Sequence, residues 1–365
     1  MIGRRQVVRC ARRGEAVRGG HATRRAQGVE HPWGRLVLGV LLALGVGGLP
    51  ACGHGRFAGP AQAPGPDFLI IGHRGAPNQA CENTLESFAQ ALRLGANALE
   101  LDVSITHDGH LVLWHDWVDR VRDRVIHRLR PTGLCDVVRP LLYRPVDEVA
   151  LADFVQSYGY AHTGEWVPAT TLVAFARRFA PDVRARWLFL DIKVPPDQPD
   201  LAEPLFQQAV QIFRQYDALH KVVFLTPSEA IVARLHDAAQ RWQHTTGERV
   251  DVVRDVEGPQ VVRLRDWPSS VHLNQAAEAR FALWGKPVVS LQSERDFLRE
   301  ELQRRDAVNA RRPPGARMRY LVWTINDPEE MCELVRLGVD GLLTDEPGHL
   351  RTIVRHWDRP DTCPP

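Results

Sequence analysis

Lysine is nearly missing: the 365 residues contain only Lys193, Lys221 and Lys286, and arginine supplies positive charge everywhere else. A lysine kept in such a background marks a place that needs a compact point charge rather than a planar fork. Also missing are a Gly-x-Gly-x-x-Gly turn after a strand, a Gly-Lys-Ser/Thr phosphate loop and a Gly-x-Ser-x-Gly elbow. Those absences remove dinucleotide, nucleotide and serine-hydrolase chemistry. The cysteines, at positions 10, 52, 81, 135, 332 and 363, include no Cys-x-x-Cys pair, so zinc-type spacing is absent. Charge of one sign is scarce too. The formal net charge is +2, but nine arginines and only Glu15 and Glu30 fall in residues 1–51. The remainder therefore sits at about −5, which excludes a nucleic-acid-binding surface.

No apolar run reaches the roughly 20 residues of a spanning helix. The longest, 36–48, follows Arg35 and precedes Leu49-Pro50-Ala51-Cys52, the arrangement of a signal peptide cleaved near Ala51. Leu49-Pro50-Ala51-Cys52 also resembles a bacterial lipobox, with Pro50 where a small residue is usual. The expectation is an exported protein, either tethered to a membrane through a lipidated Cys52 or released to the periplasm or medium. Residues 1–51 are thus assigned to export, 52–66 to a Gly/Pro-rich tether, 67–358 to the folded domain and 359–365 to a tail. With 44% hydrophobic and 25% charged residues, the body has the composition of a globular protein. Cys81 and Cys135 either pair or remain free thiols.

From Asp67 onward, short apolar runs with strand character alternate with longer helical ones. Strands are predicted at 68–72, 98–103, 187–194, 222–226, 250–253, 320–325 and 341–344, with one more somewhere in 271–291. Helices are predicted at 85–94, 172–179, 201–216, 231–242, 328–337 and 350–357. That rhythm predicts an α/β protein with a parallel sheet. About eight strands in roughly 290 residues predict a (β/α)8 TIM barrel with an inserted loop segment after the second strand, and a doubly wound open sheet is the alternative.

Glu100 and Asp102 stand two apart on a predicted strand, so both carboxylates project from one face at the strand end. Two such oxygens make half a Mg²⁺ or Ca²⁺ site. Asp191, at a later strand end, supplies a third carboxylate, and Lys193 shares its face as a cation for a phosphate. An acidic strand end facing water is the bland reading of Glu100 and Asp102; Asp191 and Lys193 argue against it. His73 and His115 each follow an apolar run, and a histidine pair across a pocket can serve as base and acid. Each taken alone has an ordinary structural reading. Arg74 offers bidentate donors to phosphate, and Gly75 allows close backbone approach. Asn83 and Thr84 read as caps of the helix that begins at Leu85, whereas Glu82 has no such role.

Taken in order, His73-Arg74-Gly75, Glu82-Asn83-Thr84, Glu100-Leu101-Asp102-Val103, Thr106-His107-Asp108-Gly109 and His115-Asp116 resemble the glycerophosphodiester phosphodiesterase family. Val167-Pro168-Ala169-Thr170, Leu190-Asp191-Ile192-Lys193, Trp323-Thr324-Ile325-Asn326, Gly338-Val339-Asp340-Gly341 and Thr344-Asp345 continue the resemblance. It implies a βα barrel that hydrolyses small-molecule glycerophosphodiesters to glycerol 3-phosphate and an alcohol. By position it implies that Glu100, Asp102 and Asp191 hold a divalent metal, Mg²⁺ or Ca²⁺, with Glu82 near or on it. It further implies His73 and His115 as acid and base, Arg74 and Lys193 on the phosphate, and Trp323 as an apolar wall for the glycerol.

Two departures accompany the resemblance. Asp191 replaces the usual glutamate and reaches one methylene less far, and residues 117–166, with Arg120, Arg122, Arg124, Arg128 and Arg130, are expected to hang over the mouth. Two other readings of the same inventory are a phospholipase of the lysophospholipase D or phosphatidylinositol-specific type and a non-catalytic lipoprotein that binds phosphodiesters. Leu141-Leu142-Tyr143 is too small an apolar rim for the first, and a pure binder needs no proton-transfer pair.

Overall fold

The structure is a computed structural model that describes residues 64–119, 124–126, 133–140, 144–256, 269–275, 279–287, 289–357 and 363. The export and tether assignments up to residue 63, including Cys52, lie outside those residues. So do Arg120, Arg122, Arg128, Arg130 and Leu141-Leu142-Tyr143.

Apart from an insertion after β2, sixteen elements alternate: β1 (Leu69–His73), α1 (Leu85–Arg93), β2 (Ala98–Ile105), α2 (Leu172–Phe179), β3 (Trp187–Ile192), α3 (Ala202–Arg214), β4 (Val222–Thr226), α4 (Glu229–Thr246), β5 (Asp251–Val256), α5 (Ser270–Gln275), β6 (Phe281–Gly285), α6 (Gln292–Asn309), β7 (Arg319–Trp323), α7 (Pro328–Leu337), β8 (Gly341–Thr344) and α8 (Pro347–Arg355). Each strand pairs in parallel with its neighbours, and β1 closes the circle by pairing with both β2 and β8. The eight-stranded barrel is therefore closed, and the open-sheet alternative falls.

Strands covered on both faces must be apolar on both, and β3 shows how the two faces divide. Phe189 turns into the barrel with Leu69, Ile71, Val223, Phe281, Leu321 and Leu343. Leu188 and Leu190 turn outward beneath the helices with Phe88, Phe175 and Phe206. Where β8 meets β1 there is no room for a side chain, because a Cβ on Gly341 would lie 2.7 Å from the Leu69 Cβ. Hydroxyl and carboxylate caps start several helices. Thr84, Thr171 and Ser228 accept from the backbone in the first turns of α1, α2 and α4, and Asp327 does so ahead of Pro328 in α7.

Three helices were not foreseen: Leu151–Ser157 in the insertion, α5 and α6. In α6 the sequence is densely charged, so its apolar stripe is thin: Phe297, Leu298 and Leu302 are buried, but so are Glu294, Glu301 and Arg305. Glu301 is tolerated there because its carboxylate accepts from Ser270 Oγ (2.7 Å), the Val271 amide (3.2 Å) and Arg304 (2.9 Å).

The insertion follows β2 as expected, yet it is more than a loop. Leu111–Leu113 folds back antiparallel on β2. Asp136–Val138, Gly159–His162 and Glu165–Pro168 form a three-stranded sheet, and Trp117–Asp119 pairs with Arg124–Ile126. Trp114, Phe154, Tyr158 and Tyr160 give this region its own aromatic core. Disulfides join Cys81 to Cys135, which ties the insertion to the β1–α1 loop, and Cys332 to Cys363, which ties the expected tail to α7. Among the described residues no helix is long and apolar enough to cross a membrane.

Closing a loop of 31 residues restricts the unfolded chain. Replacing Cys332 and Cys363 together by serine should therefore cost about 2–4 kcal/mol of stability. A calorimetric Tm unchanged from wild type would contradict this.

Candidate active site

The C-terminal ends of parallel barrel strands form one rim, and loops leaving it share a mouth. His73 ends β1, Glu100 and Asp102 lie in β2, Asp191 in β3, Asp255 in β5, Trp323 ends β7 and Asp345 follows β8. Register brings the first group together: His73 pairs opposite Glu100, and Asp102 opposite Asp191. His115 arrives differently. The run before it is the return strand of a hairpin on β2, and the Trp114 amide donates to the Asp102 carbonyl at 3.2 Å.

Carboxylate oxygens of Glu100, Asp102 and Asp191 all lie within 4.8 Å of one another, with Glu100 and Asp102 fully buried. Two cations face them. Lys193 Nζ is 2.6 Å from Asp191 Oδ2 and 3.2 Å from Asp102 Oδ1. Arg74 Nε is 2.8 Å from Asp102 Oδ2, NH1 is 3.3 Å from Glu82 Oε2, and the Arg74 amide donates to Glu100 Oε2 at 2.9 Å. Arg74 reaches this position in the left-handed region, with φ +56°, and Asn83 does likewise at +54°. Such strain persists only where surrounding contacts hold it. Part of that hold is Gly75, where a Cβ would run into the α1 backbone at Ser87. Asn83 is no cap. Its side-chain nitrogen donates to Asp102 Oδ2 (2.8 Å) and its oxygen accepts from the Asp102 amide (3.2 Å), while Thr84 takes the cap.

The electrostatics pull neighbours apart. Burial, reinforced by Asp102 and Asp191, raises the Glu100 carboxyl well above its usual range. Burial opposes charge on Asp102 as well, but Arg74 and Lys193 override it and hold that carboxyl low. Lys193 is also buried, yet Asp191 and Asp102 keep its ammonium firmly protonated. In the trio, Asp191 Oδ1 is buried without a hydrogen-bond donor, and Asp102 Oδ1 has only the Lys193 ammonium, at 3.2 Å. Hard carboxylate oxygens grouped around one point fit a divalent cation such as Mg²⁺ or Ca²⁺. Glu82 is buried as well, but it stands at the guanidinium of Arg74 rather than in the trio.

Each histidine leans on a carboxylate through Nδ1. His73 Nδ1 is 2.7 Å from Asp345 Oδ1, and Asp345 is held in turn by the Asn326 amide nitrogen at 2.6 Å. His115 Nδ1 is 3.2 Å from Asp116 Oδ1, and Arg139 from the insertion donates to Asp116 Oδ2 at 2.8 Å. Asp345 is held below the ordinary carboxylate range despite its burial, chiefly by His73, and as an acceptor it favours the His73 tautomer with its proton on Nδ1. That tautomer leaves the Nε2 lone pair for proton transfer. Trp323 donates its indole N–H to Asp255 Oδ1 at 2.6 Å. Asn326 and Asp345 stand in motifs that carry the resemblance but had no role assigned, and Arg139 and Asp255 had not been singled out from the sequence. Asp345 and Asp255 could have been, as carboxylates at strand ends, whereas nothing local marks Arg139.

Compared with known proteins, the chain matches the family model for the glycerophosphoryl diester phosphodiesterase family over residues 73–349. The chain belongs to this family. A putative glycerophosphodiester phosphodiesterase of Bacillus subtilis is 23% identical over 281 residues, covering 77% of this chain and 95% of the relative. Among solved structures, a putative glycerophosphoryl diester phosphodiesterase of Silicibacter pomeroyi aligns with a TM-score of 0.58 at 20% identity, over 81% of this chain and 96% of that one. A phosphodiesterase of Oleispira antarctica, solved with the product sn-glycerol-3-phosphate, aligns with a TM-score of 0.53 at 18% identity over 78% and 96%. These likenesses carry the barrel fold, and the family makes this phosphodiesterase a hydrolase.

Burial pulls both His73 and His115 below the ordinary histidine value, with Arg74 adding to it, against the pull of Asp345 and Asp102. The neutral form of each therefore survives to lower pH than in a free imidazole. A chain that needs one neutral histidine as base should lose kcat/KM on the acid side only below about pH 6.5. An acid limb centred at pH 7 or above would contradict that.

Proposed function

We propose that this phosphodiesterase hydrolyses glycerophosphodiesters to sn-glycerol 3-phosphate and an alcohol, with His73 and His115 as the proton-transfer pair and a divalent metal on Glu100, Asp102 and Asp191. The observation that carries the reading is the pairing of two carboxylate-oriented histidines with a three-carboxylate cluster and two cations at one barrel mouth. The Oleispira neighbour, with glycerol 3-phosphate bound, supports a small glycerol-bearing substrate. Glu82 is better suited to fixing Arg74 than to holding the metal, since its Oε2 already takes the guanidinium.

Before the reaction, Arg74 and Lys193 have two tasks. They bind the phosphate oxygens, and they offset the negative charge that builds there as phosphorus gains a fifth oxygen. A bound divalent ion would add Lewis-acid polarisation of the same phosphoryl group. One neutral histidine accepts the proton of the attacking glycerol hydroxyl on Nε2, and the other, protonated, gives its proton to the departing alkoxide. The roles then reverse as water opens the cyclic phosphate. Asp345 and Asp116 keep each ring turned so that Nδ1 stays engaged and Nε2 faces the chemistry. Trp323, held by Asp255, closes the site on the β7 side as an apolar wall for the glycerol carbons.

The protein is further proposed to be exported. The two disulfides support that placement, because such bonds persist in oxidising compartments. The Cys52 tether remains part of the same proposal.

Release of glycerol 3-phosphate from glycerophosphocholine and glycerophosphoethanolamine tests the reading. His115→Ala should lower kcat by about 10²–10⁴ while leaving substrate affinity nearly unchanged. Equal turnover by wild type and His115→Ala would remove His115 from the chemistry. No release by a folded wild type would point to a binding role instead.

A further inference from the structure

The end of the barrel opposite the mouth has a chemistry of its own. Because all eight strands are parallel, the segments that lead into them emerge together there. Backbone bonds stitch them side by side: Leu69 donates to Asp340, Arg186 to Asn97, and Arg319 to Arg280, at 2.8–2.9 Å. In these segments basic side chains outnumber acidic ones, although the body as a whole is net negative. At the centre lies Trp187, packed edge-on against Phe281 at 4.9 Å, with the guanidiniums of Arg280 and Arg319 at 4.7 and 5.9 Å from its ring centroid.

Ordinary ion pairing accounts for part of the cluster. Asp67 takes Arg186 at 2.6 Å, Asp182 takes Arg184 at 2.7 Å, and Asp251 takes Arg249 at 3.1 Å and Arg280 Nε at 2.7 Å. It does not account for the α6–β7 segment. Arg311 and Arg317 are exposed, Arg319 is half-buried, and none of the three pairs with a carboxylate among the described residues. Elsewhere on the floor, in the segment that leads into β3, Val183 is 87% exposed, next to Arg184. Burial, with Arg186 and Arg280 close by, pulls Arg319 below the usual arginine value despite Asp67 and Asp340. Exposed guanidiniums without carboxylate partners, such as Arg311 and Arg317, are what an anionic lipid headgroup layer complements.

We propose that this floor of the barrel docks on an anionic lipid surface, with the catalytic mouth turned away from it. The path of the chain favours a lipid surface over other polyanions. Asp67, where the folded body begins, is on this face, bound to Arg186. Residues 53–66 can span at most about 50 Å, and they follow Cys52. A tether through a lipidated Cys52 would thus join the body at the floor rather than at the mouth. Docked this way, and on the phosphodiesterase reading above, the enzyme takes water-soluble diesters rather than lipids of the bilayer beneath it.

Co-sedimentation of the mature chain, without the arginine-rich residues 1–51 that export would remove, tests the docking on vesicles independently of turnover. Phosphatidylcholine vesicles are compared with phosphatidylcholine–phosphatidylglycerol vesicles, for wild type and for R311E/R317E, whose exposed side chains lie far from the mouth. Wild type should partition at least about tenfold more strongly onto the phosphatidylglycerol vesicles, at about fivefold per cation. That increment should vanish in high salt and in R311E/R317E, with phosphatidylcholine binding and glycerophosphodiester turnover unchanged. R317Q, which removes one exposed charge, should lose part of the increment and serves if the double variant misfolds. The proposal fails if wild type gains nothing from phosphatidylglycerol or the variants keep the whole gain. Equally strong capture by single-stranded DNA at the same salt would also overturn it, marking the face as an indiscriminate polyanion binder.

Discussion

Three carboxylates crowded in a buried space are the constraint on which the rest of this site depends. Glu100, Asp102 and Asp191 would repel one another by several kcal/mol if charged and uncompensated at such separations. The surrounding chain answers with two fixed cations, Arg74 and Lys193, and with Asn83 bonded to Asp102. Those answers dictate local structure in turn. Arg74 and Asn83 adopt left-handed backbone, Gly75 is needed against α1, and the N-cap duty falls to Thr84. Two cations against three acids still leave an excess of negative charge. That excess, with burial, pushes the Glu100 carboxyl up toward its neutral form, and a bound divalent ion would oppose the same excess by favouring the carboxylate.

The lysine at position 193 fits this picture. In a chain that otherwise uses arginine almost without exception, an ammonium inserted between Asp191 and Asp102 neutralises both within a volume a guanidinium would not fit as compactly. The short side chain of Asp191 is consistent with that closeness. One of its oxygens meets Lys193 at 2.6 Å, and the other is left without a donor inside the cluster.

Much of this was readable before any coordinates, because the information is local and periodic. Glu100 with Asp102, and Asp191 with Lys193, share a face by strand parity alone, and most helices and strands follow from apolar spacing. What was not readable depends on long-range pairing. The helix α6 hides its apolar stripe behind Glu294, Glu301 and Arg305, whose burial makes sense only once Ser270 and Arg304 are in place. Asn83 looked like a cap because its partner, Asp102, is distant in sequence. Arg139 reaches Asp116 from an insertion whose fold rests on a disulfide and an aromatic cluster, neither of which periodicity reveals.

The account stands or falls on whether the three carboxylates hold a metal. Isothermal titration of the metal-stripped chain with Mg²⁺ or Ca²⁺, repeated in buffers of different ionisation enthalpy, addresses this without turnover. One ion should bind per chain with release of a proton, and Asp191→Asn should weaken binding at least about tenfold. Failure of wild type to bind either ion, or binding that Asp191→Asn leaves intact, would contradict the assignment of this cluster as the metal site.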